Sequence, residues 1–367
     1  MRCRATIAVG MHSIDLHSAA PPGLLRVVCS ATLDPYRNLA LEQQLYDELQ
    51  PDQLVLFLWR NAPVVVIGRH QNPWIECDLD AMRAAGVWLA RRASGGGAVY
   101  HDPGNGNFSF LAAAEHYDQR LQFAIVMAAL ADIGISAEQT GRNDILADGR
   151  KFSGSAFRYR SQKSYHHGTL LIDADLDRLS ACLNPVSTAV TESKAIASVR
   201  SRVVNLGELV PGLQWAAVCE RLVAAAERAY GVRATIESID AGALRGDDVH
   251  TSLVAELRSW QWIYGRTPDF RRLHRVEGGD GAAELELHVH RGRISGARIV
   301  GAGAAAGVSP DMQRLIAALT GIRYRPEDLR CCAAAMSATA ATAGVCAQLA
   351  RQLGATAGIP LEQEGNG

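Results

Sequence analysis

RRASGGGAVYHDPGN, Arg91 to Asn105, is the stretch on which the reading turns. Three successive glycines, Gly95, Gly96 and Gly97, strip side-chain bulk from the backbone, so a ligand can lie against its N–H groups. Arg91 and Arg92 precede them; His101 and Asp102 follow. Such a loop suits a phosphate or carboxylate held by backbone donors and a guanidinium. It has neither the G-K-S/T ending of a Walker loop nor the G-x-G-x-x-G spacing of a dinucleotide fingerprint. Taken alone, it reads equally as a tight turn within a sheet.

Outward from the loop, Val87 to Arg92 reads as the strand that delivers it, and Val99–His101 and Asn107–Leu111 as strands that follow. Upstream, Leu24–Ser30 is strand-like. Asp34 to Leu49 carries Leu39, Leu41, Leu45, Tyr46 and Leu49 at helical spacing behind an Asp-Pro start. Val55–Arg60 and Val64–Gly68 are short β-rich runs, and Asn61-Ala62-Pro63 between them predicts a hairpin. Leu79–Ala85 and Leu121–Ile133 read as helices closed by Gly86 and Gly134. Downstream, Asp144–Ala147 and Lys151–Arg158 form a hairpin around Asp148-Gly149, which sets Lys151 at a strand start; His167–Ile172 is another strand. Many short strands with interspersed helices predict an α+β fold, its sheets mixed or antiparallel with flanking helices. Beyond Pro211 the chain turns helical as far as Tyr230. A boundary is expected in Leu257–Asp269, followed by a hairpin, Leu285–Val289 and Arg293–Ile299, around Arg291-Gly292 in a small α+β unit. The expected division is 1–23, a disordered extension or mis-called start; 24–265, a catalytic domain; and 266–367, an accessory domain.

The 367 residues are 48% hydrophobic and 20% charged, the balance of a packed globule with room for two domains. A net charge of −1 gives no global attraction to nucleic acid or to an anionic membrane. Basic character is local instead: Arg91, Arg92, Arg142, Arg150, Lys151, Arg158 and Lys163 gather near the glycine-rich segments. The eight cysteines, Cys3 among them, include no C-x-x-C pair, and Cys331 and Cys332 are adjacent, so a reduced cytoplasmic compartment is expected. No apolar run approaches the roughly 20 residues of a bilayer span. The brief apolar run Ala5 to Met11 is short for a signal peptide.

Three further segments complete the pattern: GRNDILADGRKFSGSAFRYR (Gly141–Arg160), YHHGTLLIDADLDRL (Tyr165–Leu179) and SVRSRVVNL (Ser198–Leu206). In order with the glycine loop, and with VLFLWRNAPVVVIGRHQNPWIEC (Val55–Cys77) before it, they resemble the ATP-dependent lipoate–protein ligase A family of the two-domain bacterial type. The resemblance runs from about Leu24 to the C-terminus and is strongest up to about Pro211.

The resemblance implies roles. Arg150 to Ala156 matches the family's R-K-x-S-G-S-A element, with Phe152 where a smaller aliphatic is usual, so Lys151 is the expected catalytic cation. A compact ammonium between two anionic reactants offsets their repulsion and the charge that grows during attack. Arg92, Gly97, Ala98, Val99, Tyr100, Asn143 and Asp144 are expected at ATP with Lys151; Ser94, Gly95, Gly96, His167, Trp59 and Lys151 are expected at lipoate. Asp144 either holds Mg²⁺ on the phosphates or caps a turn. Trp59, Leu41 and Val66 match pocket positions and read equally as core. Val190–Val199 aligns with the loop that closes over the adenylate, so Lys194 and Ser198 are expected there, although Ala195 replaces the family's glycine. His166 and His167 are adjacent in a strand, face opposite ways and cannot chelate one ion easily. His288 and His290 read as surface residues.

The implied activity is two-step: lipoate and ATP give lipoyl-AMP and pyrophosphate, then an acceptor lysine of a 2-oxoacid dehydrogenase E2 domain or of the glycine-cleavage H protein takes the acyl group. The alternatives are a lipoyl- or octanoyltransferase of the same fold without its own adenylation, and a non-catalytic lipoate-binding protein. Nucleic acid and membrane are not expected partners.

Overall fold

The computed structural model describes residues 6–9, 12–15, 20–141, 143–183, 190–198, 201–240, 248–278, 281–300, 310–335 and 340–352. Cys3, Ala5, Met11, Arg142 and Val199, named above, lie outside the described residues.

An eight-stranded sheet carries the molecule, in the order Ala234–Ile239, Leu24–Ser30, Gln53–Arg60, Asn105–Ala113, Lys163–Leu171, Arg150–Tyr159, Asp144–Ala147, Glu138–Thr140. The first three strands run parallel and the remaining pairings are antiparallel. The sheet is mixed and the fold α+β, as the strand spacing predicts. Asn105–Ala113 is buried along its whole length, as a central strand covered on both faces must be. One face packs Phe108 and Phe110 of this strand under helices Gln119–Ala131, which contributes Phe123, and Trp215–Tyr230. The other face lies under helix Pro35–Asp47, whose start is capped by the Asp34 carboxylate accepting from the Tyr36 and Arg37 amides.

A small sheet sits beside the large one, with Val64–Ile67 between Trp88–Arg91 and Val99–His101. Here the expected hairpin at Asn61-Ala62-Pro63 is corrected: Gln53–Arg60 and Val64–Ile67 belong to different sheets and do not pair. The link spends its hydrogen bonds outside itself. Ala62 N–H donates to the Leu33 carbonyl, and the buried Asn61 amide bridges Asn38 and His101. Pro63 has no N–H to close a turn. The Asp148-Gly149 hairpin does form, with φ of 49° and 68°, the backbone of a type I′ turn.

The C-terminal part is a four-stranded sheet, Val190–Ser193, Phe270–Gly278, Gly281–His290, Arg293–Val300, with helices Pro310–Leu319, Pro326–Ala335 and Ala340–Gln352. Its edge strand comes from the segment expected as a mobile loop, since Val190–Ser193 pairs with Phe270–Gly278. The junction is aromatic. Trp74 lies 5.1 Å from Tyr264, 5.3 Å from Phe270 and 5.4 Å from Tyr324. In the N-terminal extension, Thr6–Val9 pairs with His12–Asp15. Among the described residues no helix is long and apolar enough to cross a membrane.

Candidate active site

The glycine loop joins the two outer strands of the small sheet, and its shape is set by Arg92. The guanidinium donates to the carbonyls of Val66 (2.9 Å), Gly95 (2.6 Å) and Gly97 (2.7 Å) and to Ser94 Oγ (3.0 Å). Gly96 has φ of +86°, and a Cβ there would stand 2.9 Å from Arg92 Nη2, so both backbone and space demand glycine. Arg91 points the opposite way, toward the C-terminal part. It reaches the carbonyls of Ile263 (2.8 Å), Gly68 (3.0 Å) and Gln71 (2.8 Å) and Thr267 Oγ1 (2.9 Å). Burial lowers both guanidinium pKa values to about 10, which leaves both charged at neutral pH.

Below the loop two cavities of about 470 and 480 Å³ abut. Their common wall includes Ala98, Val99, Lys151, Gly154, Thr169 and Ser198. The first runs inward from Asn143 and Asp144 to an apolar end at Trp59, Val66 and Leu39. The second is lined by Tyr100, Phe152, Leu171 and Leu179, with Glu76 as its carboxylate. Lys151 stands on the boundary between them. Its backbone is clamped by Arg202 and Val204 (2.8 and 3.0 Å), and its Nζ meets Asp144 Oδ1 at 2.9 Å. Gly154 opposite supplies the room, for an added Cβ would lie 3.2 Å from that Nζ.

A buried polar chain closes the apolar end of the first cavity. Trp59 Nε1–H donates to Ser109 Oγ (3.1 Å), and Ser109 donates to Glu42 Oε1 (2.5 Å). His167 Nδ1 lies 2.9 Å from Glu42 Oε1, and its Nε2 is 2.8 Å from Ser94 Oγ. Burial alone would raise the Glu42 pKa; the His167 ring, the Ser109 hydroxyl and Arg92 outweigh it, and the carboxyl sits below its ordinary range. His101 is neutral, pushed down to about 3 by burial. Asn38 Nδ2 occupies Asn61 Oδ1, so the Asn61 amide nitrogen donates to His101 Nδ1 at 3.0 Å. That fixes the tautomer with hydrogen on Nε2, an atom without a hydrogen-bond partner among the described residues.

Residues 196–198 roof the boundary. Ser198 Oγ accepts from Ala98 N–H (2.9 Å) and Gln71 Nε2 (3.0 Å) and donates to Glu76 Oε2. Of the expected residues, Lys151, Arg92, Gly96, Gly97, Ala98, Val99, Asn143, Asp144, His167, Trp59 and Ser198 line the first cavity, and Tyr100 lines the second. Ser94 and Gly95 lie behind the wall as partners of Arg92. Lys194 is exposed and lines neither cavity. Leu41 is turned into the core and Leu39 takes the wall position. Glu42, Ser109, Gln71 and Glu76 were missed. Only Glu42 carried a signal, as a carboxylate on the apolar helical stripe of Leu39 and Tyr46.

The remaining histidines of the two pairs named above are engaged by protein partners. His166 turns to the opposite sheet face, bonded to Gln122 Oε1 (3.2 Å) and Ser155 Oγ (2.9 Å). His288 pairs with Glu286 and His290 with Asp269, each at 2.8 Å. No group of three His, Cys, Asp or Glu side chains that could hold a metal ion occurs among the described residues.

A mixed sheet with a glycine-loop cleft and a separate C-terminal sheet is the architecture of the lipoate ligases. Residues 34–227 match the lipoyl protein ligase A/B catalytic domain, and the chain belongs to that family. Among solved structures it is similar to P. falciparum LipL1 in complex with lipoate, with TM-score 0.60, 28% identity, and coverage of 85% of this chain and 95% of that one. It is similar to a bi-partite lipoate protein ligase from Thermoplasma acidophilum, described with its E2 lipoyl domain (TM-score 0.56, 26% identity, 65% and 96% covered). It is also similar to a lipoate-protein ligase A bound with ATP (TM-score 0.53, 28% identity, 64% and 94% covered).

Proposed function

We propose that the protein activates lipoate with ATP and transfers the lipoyl group to a lysine of an acceptor domain. The observation that carries this reading is the place of Lys151, one ammonium on the wall shared by two cavities of similar size. The apolar chamber ending at Trp59, Val66 and Leu39 takes the acyl chain, and the chamber with Tyr100 and Glu76 takes the nucleotide. The lipoate carboxylate then attacks the α-phosphorus beside Lys151, pyrophosphate leaves, and the ammonium offsets the charge gathering on the phosphoryl oxygens. In the second step the acceptor amine attacks the acyl carbonyl and AMP departs. Lipoate, ATP and an E2 lipoyl domain in the descriptions of similar structures support these assignments.

Asp144, 2.9 Å from Lys151 Nζ at the boundary where the two chambers meet, would hold Mg²⁺ together with phosphate oxygens and water, and the ion would neutralise phosphate charge. Among the described residues no cysteine lines either cavity, which favours adenylation over an acyl-cysteine route. Residues 24–265 serve as the catalytic domain and 266–367 as the accessory one. The acceptors are apo-lipoyl domains of E2 subunits and the glycine-cleavage H protein, and the described cysteines, all free thiols, support a reducing cytoplasmic setting.

The test is pyrophosphate release with lipoate and ATP, with and without an apo-acceptor domain. Release with lipoate alone, followed by acceptor acylation, is expected. Transfer only from supplied lipoyl-AMP would replace the ligase reading by the transferase.

A further inference from the structure

A third cavity, of about 350 Å³, lies on the other side of the Arg92–Glu42 layer, between helix Pro35–Asp47, the end of strand Arg150–Tyr159 and the segment after helix Trp260–Ile263. Arg69, Arg158, Arg160 and Arg266 line it, with Arg92 as a fifth guanidinium; its carboxylates are Glu42, Asp47 and Glu256. In a chain of net charge −1, this is a local excess of positive charge.

Five guanidiniums against three carboxylates leave two positive groups in excess on the lining. Glu42 is engaged by His167 and Ser109, and Asp47 accepts from Gln43. Glu256 reaches Arg266 at only 3.8 Å. Arg158 donates to the neutral Gln43 Oε1 (2.6 Å) and lies over the Tyr46 ring at 4.9 Å; Arg266 lies 4.0 Å from the Trp262 ring centroid. Aromatic faces hold these two planar groups without using up their charge. The side chains of Arg69 and Arg160 have neither a hydrogen bond nor an ion pair among the described residues, and both are exposed. Like charges that line one cavity repel, an anion between them offsets this, and guanidinium forks match phosphate oxygens.

We propose that this cavity is a second anion site, separate from the cleft of Lys151, and that it takes a phosphate group carried by a small molecule of about pyrophosphate size. Leu39 and Arg92 line both this cavity and the apolar chamber of the cleft. Glu42 lines this cavity and holds His167 of the chamber. An anion here therefore lies beside side chains that also shape the chamber.

The full chain should be titrated calorimetrically with pyrophosphate, inorganic phosphate and AMP, beside three variants: Arg69→Gln/Arg160→Gln, Arg69→Lys/Arg160→Lys, and Arg233→Gln. The last removes a solvent-exposed charge elsewhere, with 93% of its side chain accessible. Pyrophosphate is expected to bind the wild type saturably, and the Gln pair to weaken it by about tenfold or more. The Lys pair should recover part of the loss, and Arg233→Gln should leave binding unchanged. Comparing the three anions assigns the source of the phosphate. Equal pyrophosphate binding by the wild type and the Gln pair would place all binding in the Lys151 cleft and overturn the proposal. So would absence of saturable binding, equal weakening by Arg233→Gln, or capture of an acidic peptide without any response to pyrophosphate. None of these readouts requires lipoate activation, so failure of the ligase reading leaves the test intact.

Discussion

Gly154→Ala puts the Lys151 assignment to its most direct test, because it moves the ammonium without deleting it. The new Cβ would lie 3.2 Å from Lys151 Nζ and Cε and 4.0 Å from Asp144 Oδ1. The atoms in the way are the tip of a flexible side chain, so the lysine yields by a few tenths of an ångström and the strand stays in place. Gly154 is not among the positive-φ residues, so alanine introduces no backbone strain. By restricting the unfolded chain, the substitution should leave stability unchanged or raise it by about 0.4–1 kcal/mol. Misplacing a catalytic group by about 1 Å can cost roughly 10²-fold, so a few tenths should cost roughly threefold to tenfold in the rate of pyrophosphate release. Lys151→Ala, which removes the charge, should cost about 10²–10³. The assay is single-turnover lipoyl-AMP formation, with thermal melting of the same samples. Full activity in Gly154→Ala would mean that Lys151 acts without defined placement. Full activity in a folded Lys151→Ala would end its assignment, and a sharply lowered melting temperature in Gly154→Ala would mean that the contact supports the strand.

Gly96→Val should lose both lipoate binding and stability, because φ of +86° disfavours a β-branched residue and the Cβ crowds the buried Arg92; calorimetry showing normal binding would contradict this. Arg91→Met should destabilise by about 3 kcal/mol or more, since it strips a buried donor from the Ile263, Gly68 and Gln71 carbonyls, and an unchanged urea midpoint would refute it. Acid should weaken the fold early. Burial drives His101 to about 3 and His274 to about 4, and it drives His166 well below its ordinary value. With folded values below unfolded ones, the unfolded chain takes up protons first. The stabilisation is complete above about pH 6.5 and is lost on acidification toward the folded values. Where all three histidines titrate only in the unfolded chain, the slope is roughly 4 kcal/mol per pH unit. A urea midpoint that stays constant from neutral pH down to about 4.5 would disprove this.

The local chemistry of the chain was legible before any contact was known. Asp34-Pro35 opens its helix, Gly86 and Gly134 close theirs, and Asp148-Gly149 makes the turn that brings Lys151 to a strand start. Each is set by a capping group or a φ angle, and such preferences act over a few residues. The family resemblance likewise pointed to residues that line the first cavity. What local preference did not reach were features set by a distant partner. Asn61-Ala62-Pro63 looks like a turn, but Asn38, His101 and Leu33 satisfy its groups and pull the flanking strands into separate sheets. The polar segment Ala234–Ile239 becomes a strand only because Leu24–Ser30 offers it an edge, and Val190–Ser193 only because Phe270–Gly278 does. Arg91 and Arg92 are neighbours of the same type, yet one holds the glycine loop and the other holds the C-terminal part. Side-chain direction at a strand end decides between them, and that depends on the surroundings to which the fold commits each face.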